Sequence, residues 1–340
     1  MLNELITILI PCYNEEQSLP ALYKALCTTA KAITTNETDS YSFEFLFIND
    51  GSKDRTLDIL KTLRLQDERV CYVDLSRNFG KENAMLAGFD YARGEAVIIM
   101  DADLQHPPAL IPEMLRIWNH GEVQDVYARR KTRGREPWLR KQLSLLFYRM
   151  LDHTTRFDIL QNVGDFRLLD RQAIDALRQL RETERYTKGM YCWIGFRKQE
   201  ILFEQQARVA GGSKWSFFSL LNLAIEGITS FTTAPLRLAT YMGLLTALGA
   251  LLYGLYYFIK ALVVGDPVAG FPTLIIVILF LGGIQLITIG IIGEYLGRIF
   301  NEVKRRPVYL AKEYNGKRQN STSPLSTEKD NGNIGWLSGD

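Results

Sequence analysis

Two long stretches without charge near the C-terminus constrain the fold of this chain more than any other feature. Residues 238–259 and 271–292 each run for twenty-two residues without an Asp, Glu, Lys or Arg. A helix of that length crosses the hydrocarbon core of a bilayer, which is ~30 Å thick, so both stretches are predicted to span a membrane. The short connection between them predicts a helical hairpin. The residues before and after the hairpin then lie on the same side of the membrane.

Basic residues around the hairpin predict its orientation. Arg237 precedes the first stretch and Lys260 lies in the connection, whereas four basic residues follow the second stretch: Arg298, Lys304, Arg305 and Arg306. Cytoplasmic flanks of membrane helices are rich in Lys and Arg, so we expect the N-terminal part of the chain and both termini in the cytoplasm. Glycines recur in both stretches and favour close helix packing, including packing between the subunits of a homo-oligomer.

Four β-rich runs alternate with helical patterns in the first hundred residues. Each run is short and apolar and ends in polar or turn residues; the runs are 5–10, 43–48, 70–75 and 96–100. Helical spacing follows the first run at Leu19, Leu22 and Leu26. This alternation predicts an α/β fold with a Rossmann-like parallel sheet and helices on both faces, in which ligands bind at the carboxyl ends of the strands.

The fourth run leads directly into two carboxylates, Asp101 and Asp103. Residues i and i+2 at the end of a strand can point into one cleft, and carboxylates that close repel unless a cation lies between them. Mg or Mn takes carboxylate oxygens and completes its shell with phosphates, so a nucleotide diphosphate fits as the third component. The alternative for an isolated D-x-D is a solvated loop or a helix N-cap before Pro107.

The other strand ends supply the remaining parts of a nucleotide site. Tyr13 offers an aromatic face for a pyrimidine, Asp50 a carboxylate for base recognition and Lys81 a cation for charge balance. Taken singly, each has a simpler explanation: Tyr13 as packing, Asp50 as a helix cap and Lys81 as a solvated charge. Their coincidence at neighbouring strand ends favours the shared site.

A dense basic cluster occupies the middle of the chain. Residues 129–141 contain seven basic side chains against the single acid Glu136. An apolar helical face follows from Leu139 to Met150, which is typical of an amphipathic helix at a membrane interface. A core helix with a solvated basic face is the alternative, and the two predicted spans favour the interfacial helix. Residues 215–231 are also expected on the membrane surface.

Three motifs occur in order at the first, second and fourth strand ends: I-P-C-Y-N-E-E, F-I-N-D-G-S-K-D-R-T and M-D-A-D-L-Q-H-P-P. They resemble the GT-A domain of family 2 glycosyltransferases, which use nucleotide-diphospho-sugars. The run from Asn162 to Asp170, the segment from Gly211 to Trp215 and the two predicted spans resemble polyprenyl-phosphate glycosyltransferases, most closely the bacterial bactoprenol glucosyltransferases. The Q-x-x-R-W motif of processive synthases does not occur.

This resemblance implies an inverting, non-processive transfer of a hexose to undecaprenyl (polyprenyl) phosphate. The donor is expected to be UDP-glucose, the cofactor Mg or Mn, and the location the cytoplasmic face of the bacterial inner membrane, with no nucleic-acid partner. The product would be a lipid-phosphate sugar used for cell-surface glycan modification of the O-antigen type. One alternative is a membrane-tethered family 2 transferase with another nucleotide sugar or a glycan acceptor. A membrane scaffold with an inactive nucleotide site is disfavoured, because its four expected carboxylates are all present.

The resemblance also implies roles for individual residues. Asp101 and Asp103 hold the metal, and Asp103 and Asp165 are catalytic, with Asp165 acting as a base or as an orienting partner. The nucleotide-sugar-binding set is Pro11, Tyr13, Glu15, Asp50, Lys81, Asp101 and Gln105, with Asp50 contacting the uracil. The set that binds the acceptor phosphate is Arg130, Arg140, Arg167 and Lys214.

Three regions follow from these patterns. Residues 1–235 form a cytoplasmic GT-A domain with interfacial helices, residues 236–297 form the membrane hairpin, and residues 298–340 form a basic juxtamembrane segment and a tail. Beyond Lys312 the tail is polar and poor in large apolar residues, so it is predicted to be disordered. The four cysteines lack metal-ligand spacing and suit a reducing compartment.

Overall fold

The computed structural model describes residues 4–35, 41–130, 163–183, 185–203, 234–264 and 270–316. Its strands are β1 (Glu4–Cys12), β2 (Tyr41–Asn49), β3 (Val70–Leu75), β4 (Ala96–Ile99), β5 (Asp125–Arg130), β6 (Val163–Asp170), β7 (Lys198–Phe203) and β8 (Ala311–Tyr314). Its helices are α1 (Leu19–Thr34), α2 (Thr56–Gln66), α3 (Lys81–Tyr91), α4 (Ile111–Asn119), α5 (Arg171–Gln179), α6 (Thr187–Trp193), α7 (Ala234–Val264) and α8 (Phe271–Val303). The four strands predicted in the first hundred residues are confirmed.

Two segments that are predicted to lie on the membrane surface fall outside the described residues. They are the interfacial helix at residues 139–150 and the apolar stretch at 215–231, and both stay predictions. Most of the basic cluster at 129–141 lies outside as well, since β5 is described only to Arg130.

The eight strands form one mixed sheet in the order β7-β5-β6-β4-β1-β2-β3-β8. β1 pairs in parallel with β2 and β4, and β2 pairs in parallel with β3, as the alternating pattern predicts. By contrast, β6 runs antiparallel to β4 and β5, and β8 runs antiparallel to β3. The carboxyl ends of the four parallel strands therefore share one edge, and the amino-terminal half of β6 reaches that same edge.

The core lies on both faces of the sheet. Successive side chains of a strand point to opposite faces, so Ile8 and Phe45 join a cluster with α1, α2 and α4. Leu9 and Leu46 join a second cluster with α3, α5 and α6. Because helices cover both faces, polar groups that follow the strands emerge only at the sheet edges, which concentrates them at the shared carboxyl end.

α7 and α8 differ from the other helices because they leave large apolar side chains exposed. Leu245 is 77% exposed and Leu286 is 72% exposed. The stretches Ala239–Tyr256 and Phe280–Val303 are long and apolar enough to cross a membrane, and 6% and 0% of them are buried. A core helix of a soluble domain would bury such side chains against protein. The two helices therefore present an apolar surface that the described chain does not cover.

The chain returns to the sheet after α8. The Ser76 N–H donates to the Leu310 carbonyl at 2.9 Å, and β8 then pairs with the edge strand β3. The prediction of disorder beyond Lys312 is therefore wrong for Glu313 and Tyr314, whereas residues 317–340 lie outside the described residues. The physical reason is that an edge strand offers unpaired backbone groups, which can order a short polar segment that hydropathy alone does not mark.

Candidate active site

The loop after β1 is held against the loop after β2 by hydrogen bonds between side chains and backbone. The Asn14 N–H donates to Ser52 Oγ at 3.0 Å, and the Lys53 N–H donates to Asn14 Oδ1 at 2.8 Å. The Glu15 N–H donates to Thr56 Oγ1 at 2.8 Å. Asn14 has a φ of +57°, a conformation that Asn tolerates better than most residues. Two strand ends thus form one rigid wall of the cleft.

Asp50 holds a third strand end in the same wall. Its carboxylate accepts the Phe79 N–H at 2.7 Å and the Gly80 N–H at 3.0 Å. Burial raises the pKa of Asp50, although these two N–H groups and Arg77 act in the opposite direction. The bonds fix the turn at Gly80, whose φ of +90° favours glycine, and α3 begins at the next residue. Asp50 therefore positions the start of α3, in addition to the uracil contact expected of it.

Lys81 contacts two carboxylates, one that follows β4 and one that lies on β6. Its Nζ lies 2.6 Å from Asp101 Oδ1 and 2.6 Å from Asp165 Oδ2. Burial opposes ionisation of Asp165, but Lys81, Lys188 and Arg167 outweigh it and lower the pKa of Asp165 to about 2. Asp165 is therefore an ionised carboxylate at neutral pH. The structure brings together Lys81 and Asp101, which the sequence placed at separate strand ends, and Asp165, which the family resemblance assigned to the site.

Further negative charge surrounds Asp101. Asp103 Oδ1 accepts the Gln105 N–H at 3.1 Å, which closes the turn after β4. Burial raises the pKa of Glu15, and the charges of Asp103 and Asp101 raise it further. Within the described ranges, no group of three or more His, Cys, Asp or Glu side chains is arranged to hold a metal ion. Two hard carboxylates without a full protein cage suit a divalent cation that takes its other ligands from phosphates.

His106 is a buried residue of this site that the sequence reasoning did not single out. Its ring stacks on Phe166 at 5.0 Å between centroids, and its Nδ1 lies 4.0 Å from Asp101 Oδ2. Neither ring nitrogen has a hydrogen-bond partner in the part of the chain that the structure describes. Burial lowers the pKa of His106, while Asp101 raises it. A neutral imidazole thus lines the cleft floor beside Asp101.

Arg167 takes a different place from the one expected of a ligand for the acceptor phosphate. It is 1% exposed and donates from Nη1 to Asp125 Oδ2 at 2.9 Å in a buried ion pair. Its guanidinium carbon lies 3.6 Å from the centroid of the Tyr191 ring. A cation enclosed by a carboxylate and an aromatic face has no open side for a lipid phosphate. Its contribution to the cleft is electrostatic, through its effect on the pKa of Asp165.

The remaining expected residues divide into two groups. Pro11 lies near the end of β1 and Tyr13 follows the strand directly, and Tyr13 is 43% exposed, which is compatible with a stacking role. Arg130 ends β5 and is half-buried, and it lies close enough to His106 to lower the pKa of that imidazole. Arg140 and Lys214 lie outside the described residues, so their roles stay predictions.

Three further residues of the cleft wall act through hydrogen bonds that only the structure displays. Ser52 and Thr56 accept the backbone N–H groups described above, and Asp54 Oδ1 accepts the Thr56 N–H at 3.0 Å. The usable sequence signal was the D-G-S-K-D-R-T run itself, because closely spaced Asp, Ser and Thr residues bond to nearby backbone in turns. That signal predicts a turn but not which second loop the turn will hold.

Comparison with known proteins places this geometry in context. The family model described as glycosyl transferase family 2 matches residues 7–178, and the model described as GtrB C-terminal hairpin matches residues 234–299. The first match covers β1 to β4, the carboxylates after β4, and β6 with Asp165. The second match covers most of α7 and α8.

Two relatives extend over nearly the whole chain. The putative glycosyltransferase CsbB of Bacillus subtilis (strain 168) is 45% identical over 315 residues, which are 93% of each chain. The SfII prophage-derived bactoprenol glucosyl transferase of Shigella flexneri is 43% identical over 308 residues, which are 91% of this chain and 97% of the relative. Among solved structures, mannosyl-3-phosphoglycerate synthase from Rubrobacter xylanophilus aligns at 16% identity with a TM-score of 0.44, covering 66% of this chain and 71% of that one.

Proposed function

The chain belongs to glycosyltransferase family 2, and from this premise we propose that it transfers glucose from UDP-glucose to polyprenyl phosphate at a membrane surface. One observation carries the proposal: Lys81 joins Asp101 to Asp165, so the expected donor carboxylate and the expected acceptor-side carboxylate share one cleft. The 43% identity to a protein named as a bactoprenol glucosyl transferase supports the sugar and the lipid class.

The donor site is built on the wall formed by the loops after β1, β2 and β3. The exposed face of Tyr13 is offered to the pyrimidine, and Asp50 supplies both loop rigidity and the remaining acceptor lone pairs for the base. Pro11 and Glu15 flank this face, and Gln105 closes the turn beside Asp103. A prearranged wall of this kind lowers the ordering cost of binding a nucleotide.

Asp101 and Asp103 would hold Mg or Mn together with the diphosphate of the donor. Their oxygens are hard ligands. Burial raises the pKa of Glu15, and the charges of Asp103 and Asp101 raise it further, so a cation between these carboxylates would offset concentrated negative charge. When bound, the cation stabilises negative charge on the departing diphosphate. The protein's own part is to keep two carboxylates and a closed turn at the end of β4.

The acceptor oxygen needs little activation in this proposal. A phosphate monoester has its second pKa near ~6, so most of it is a dianion at neutral pH. A single displacement by that oxygen inverts the anomeric centre and forms no covalent enzyme intermediate. With a pKa of about 2, Asp165 is a weak proton acceptor, which favours its orienting role over a base role. Arg130, with Arg140 and Lys214, is proposed to receive the acceptor phosphate.

We further propose that α7 and α8 span the bacterial inner membrane with the domain on the cytoplasmic side. Their exposed apolar side chains and the pairing of β8 with β3 support this arrangement, because the chain that follows α8 returns to the sheet of the domain that precedes α7. A Cβ added at Gly243, Gly249 or Gly290 would meet no atom of the described chain outside its own helix turn within 4 Å. Those open faces leave room for a second copy, as a homo-oligomer through these helices requires. The lipid-linked sugar would then serve O-antigen type modification.

One assay tests the function directly. Membranes containing the chain are incubated with undecaprenyl phosphate and a panel of nucleotide sugars, and the lipid extract is weighed by mass spectrometry. We expect a single added hexose on the lipid phosphate, formed from UDP-glucose and absent with the Asp101→Ala variant. Labelled sugar found only in water-soluble glycan would instead support the alternative of a glycan acceptor.

A further inference from the structure

Lys81 lies between the two halves of the cleft. Its Nζ is within 2.6 Å of oxygens of Asp101 and of Asp165, which come from adjacent strands of the sheet. An ammonium carries three donors, so it can serve both carboxylates at once. The other carboxylate oxygen of Asp165 has no hydrogen-bond partner within the described residues. Lys81 is therefore the hydrogen-bonded cation through which Asp165 is linked to the donor side.

The position of this ammonium is set by the backbone. Asp50 binds the N–H groups of Phe79 and Gly80, and Gly80 turns the chain with a φ of +90° into the first residue of α3, which is Lys81. The side chain is 42% exposed and Asp101 is 31% exposed, so the ion pair lies at the open side of the cleft. The ammonium of Lys81 is therefore held in place by the backbone and remains accessible to a ligand.

We propose that Lys81 is a positioning residue that competes with the divalent cation for Asp101 until a nucleotide diphosphate binds. The inference rests on the proposed function, since it takes Asp101 as a ligand of that cation. A cation at Asp101 shares the carboxylate with the ammonium on Oδ1 and is repelled by that ammonium at short range. The diphosphate offers the ammonium new negative charge in place of Asp101. Cation and diphosphate then strengthen each other's binding, and the coupling is reciprocal.

Binding of Mn²⁺ to the purified full chain in detergent tests this coupling. The signal of free Mn²⁺ in electron paramagnetic resonance gives the affinity with and without UDP, independently of turnover. We expect Lys81→Met to bind Mn²⁺ about fivefold more tightly than wild type without UDP, and to gain less affinity when UDP is added. Lys81→Arg keeps the charge and should stay near wild type. Lys24→Met, which removes an exposed charge on α1, should match wild type.

The controls separate this inference from the proposed function. If Lys81→Met binds Mn²⁺ no more tightly than wild type, while wild type binds Mn²⁺ with UDP and forms the lipid product, the competition is overturned and the function stands. If wild type binds no Mn²⁺ even with UDP, the proposed cation and the competition both fail. Should Lys81→Met not fold because Asp101 and Asp165 repel, Lys81→Met is made in the Asp165→Asn background. That double variant must bind Mn²⁺ more tightly than Asp165→Asn alone.

Discussion

At the scale of single residues, burial and neighbouring positive charges shift the pKa of Asp165 in opposite directions. Burial favours its neutral form, while Lys81, Lys188 and Arg167 favour the carboxylate strongly enough to bring its pKa to about 2. The folded pKa is thus below the ~3.9 of an unperturbed Asp, so ionised Asp165 stabilises the fold at and above about pH 4. That contribution is lost as the pH falls from about 4 through about 2.

The same pKa predicts the pH profile of Asp165→Asn. We expect kcat to fall about 100-fold because the oriented negative charge is gone, with donor binding retained. Wild type should show no acidic limb from Asp165 above about pH 3, so the variant's profile should be lowered without changing shape. Steady-state kinetics between pH 5 and 9 measure both. An acidic limb in that range for wild type, erased by the substitution, would instead identify Asp165 as a base.

Asp101 and Asp103 are expected to be needed for chemistry but not for folding. Replacing either by Ala removes a proposed cation ligand from an accessible turn, so turnover should drop by about 100-fold or more with little change in melting temperature. Asp58→Ala is the matched control, because it removes an exposed carboxylate from α2. Turnover and thermal unfolding are compared for all three, and activity that survives excess EDTA would contradict the cation requirement.

At the scale of elements, the turn after β2 depends on one glycine. Gly51 has a φ of +64°, and a Cβ added there would collide with the backbone of Arg77 and Asn78. Gly51→Ala should therefore push apart the loops after β2 and β3, cost about 3 kcal/mol and weaken UDP binding. Gly121→Ala shares the positive φ but has open space around it. It should cost about 1 kcal/mol and leave UDP affinity unchanged, as measured by thermal unfolding and calorimetry.

The edge strand β8 gives a second expectation at this scale. Glu313 accepts the Tyr72 hydroxyl at 2.5 Å, and Asn315 Oδ1 accepts the Tyr72 N–H at 2.7 Å. A chain ending at Leu310 loses these bonds and exposes the edge of β3, whereas a chain ending at Gly316 keeps them. We expect the shorter chain to lose about 2 kcal/mol and to aggregate more readily. Equal unfolding temperatures for the two truncations would show that β8 adds no stability.

At the scale of the whole molecule, the hairpin and the domain are joined at several points. The Thr183 N–H donates to Glu302 at 2.7 Å, beside the end of α8. Tyr309 and Arg181 each donate to Asp90 at 2.6 Å, which ties the segment after α8 to α3. These contacts hold the end of α8 against the domain. In the proposed membrane arrangement, they would help to set the distance between the cleft and the bilayer.

Membrane topology can be measured with reporter fusions. We expect alkaline phosphatase fused within residues 265–269 to be active outside the cytoplasm, and a fluorescent protein fused at the C-terminus to fold inside it. The reason is the excess of basic residues on the flanks of the hairpin together with the return of β8 to the sheet. The controls are alkaline phosphatase fused at the C-terminus and the fluorescent protein fused within residues 265–269, and both should be inactive. Activity in the reverse pattern would exclude the proposed orientation.

Patterns along the chain were sufficient for the elements and for the class of fold. Short continuous apolar runs predicted β1 to β4, because a strand that is buried on both faces is apolar along its whole length. The three motifs indicated family 2 glycosyltransferases, and the family model confirms that family for residues 7–178. Two stretches without charge gave α7 and α8, since nothing but length and apolarity is needed to recognise them.

Tertiary structure alone decided which side chains meet in the cleft and which are buried away from it. Asp101 and Asp165 are far apart in sequence, and only the insertion of β6 beside β4 lets Lys81 touch both. The family resemblance implied that Arg167 binds the acceptor phosphate, yet the structure pairs it with Asp125, which comes from β5. Strand order and side-chain partners depend on pairing between distant segments, and such pairing leaves no periodic trace in a single sequence.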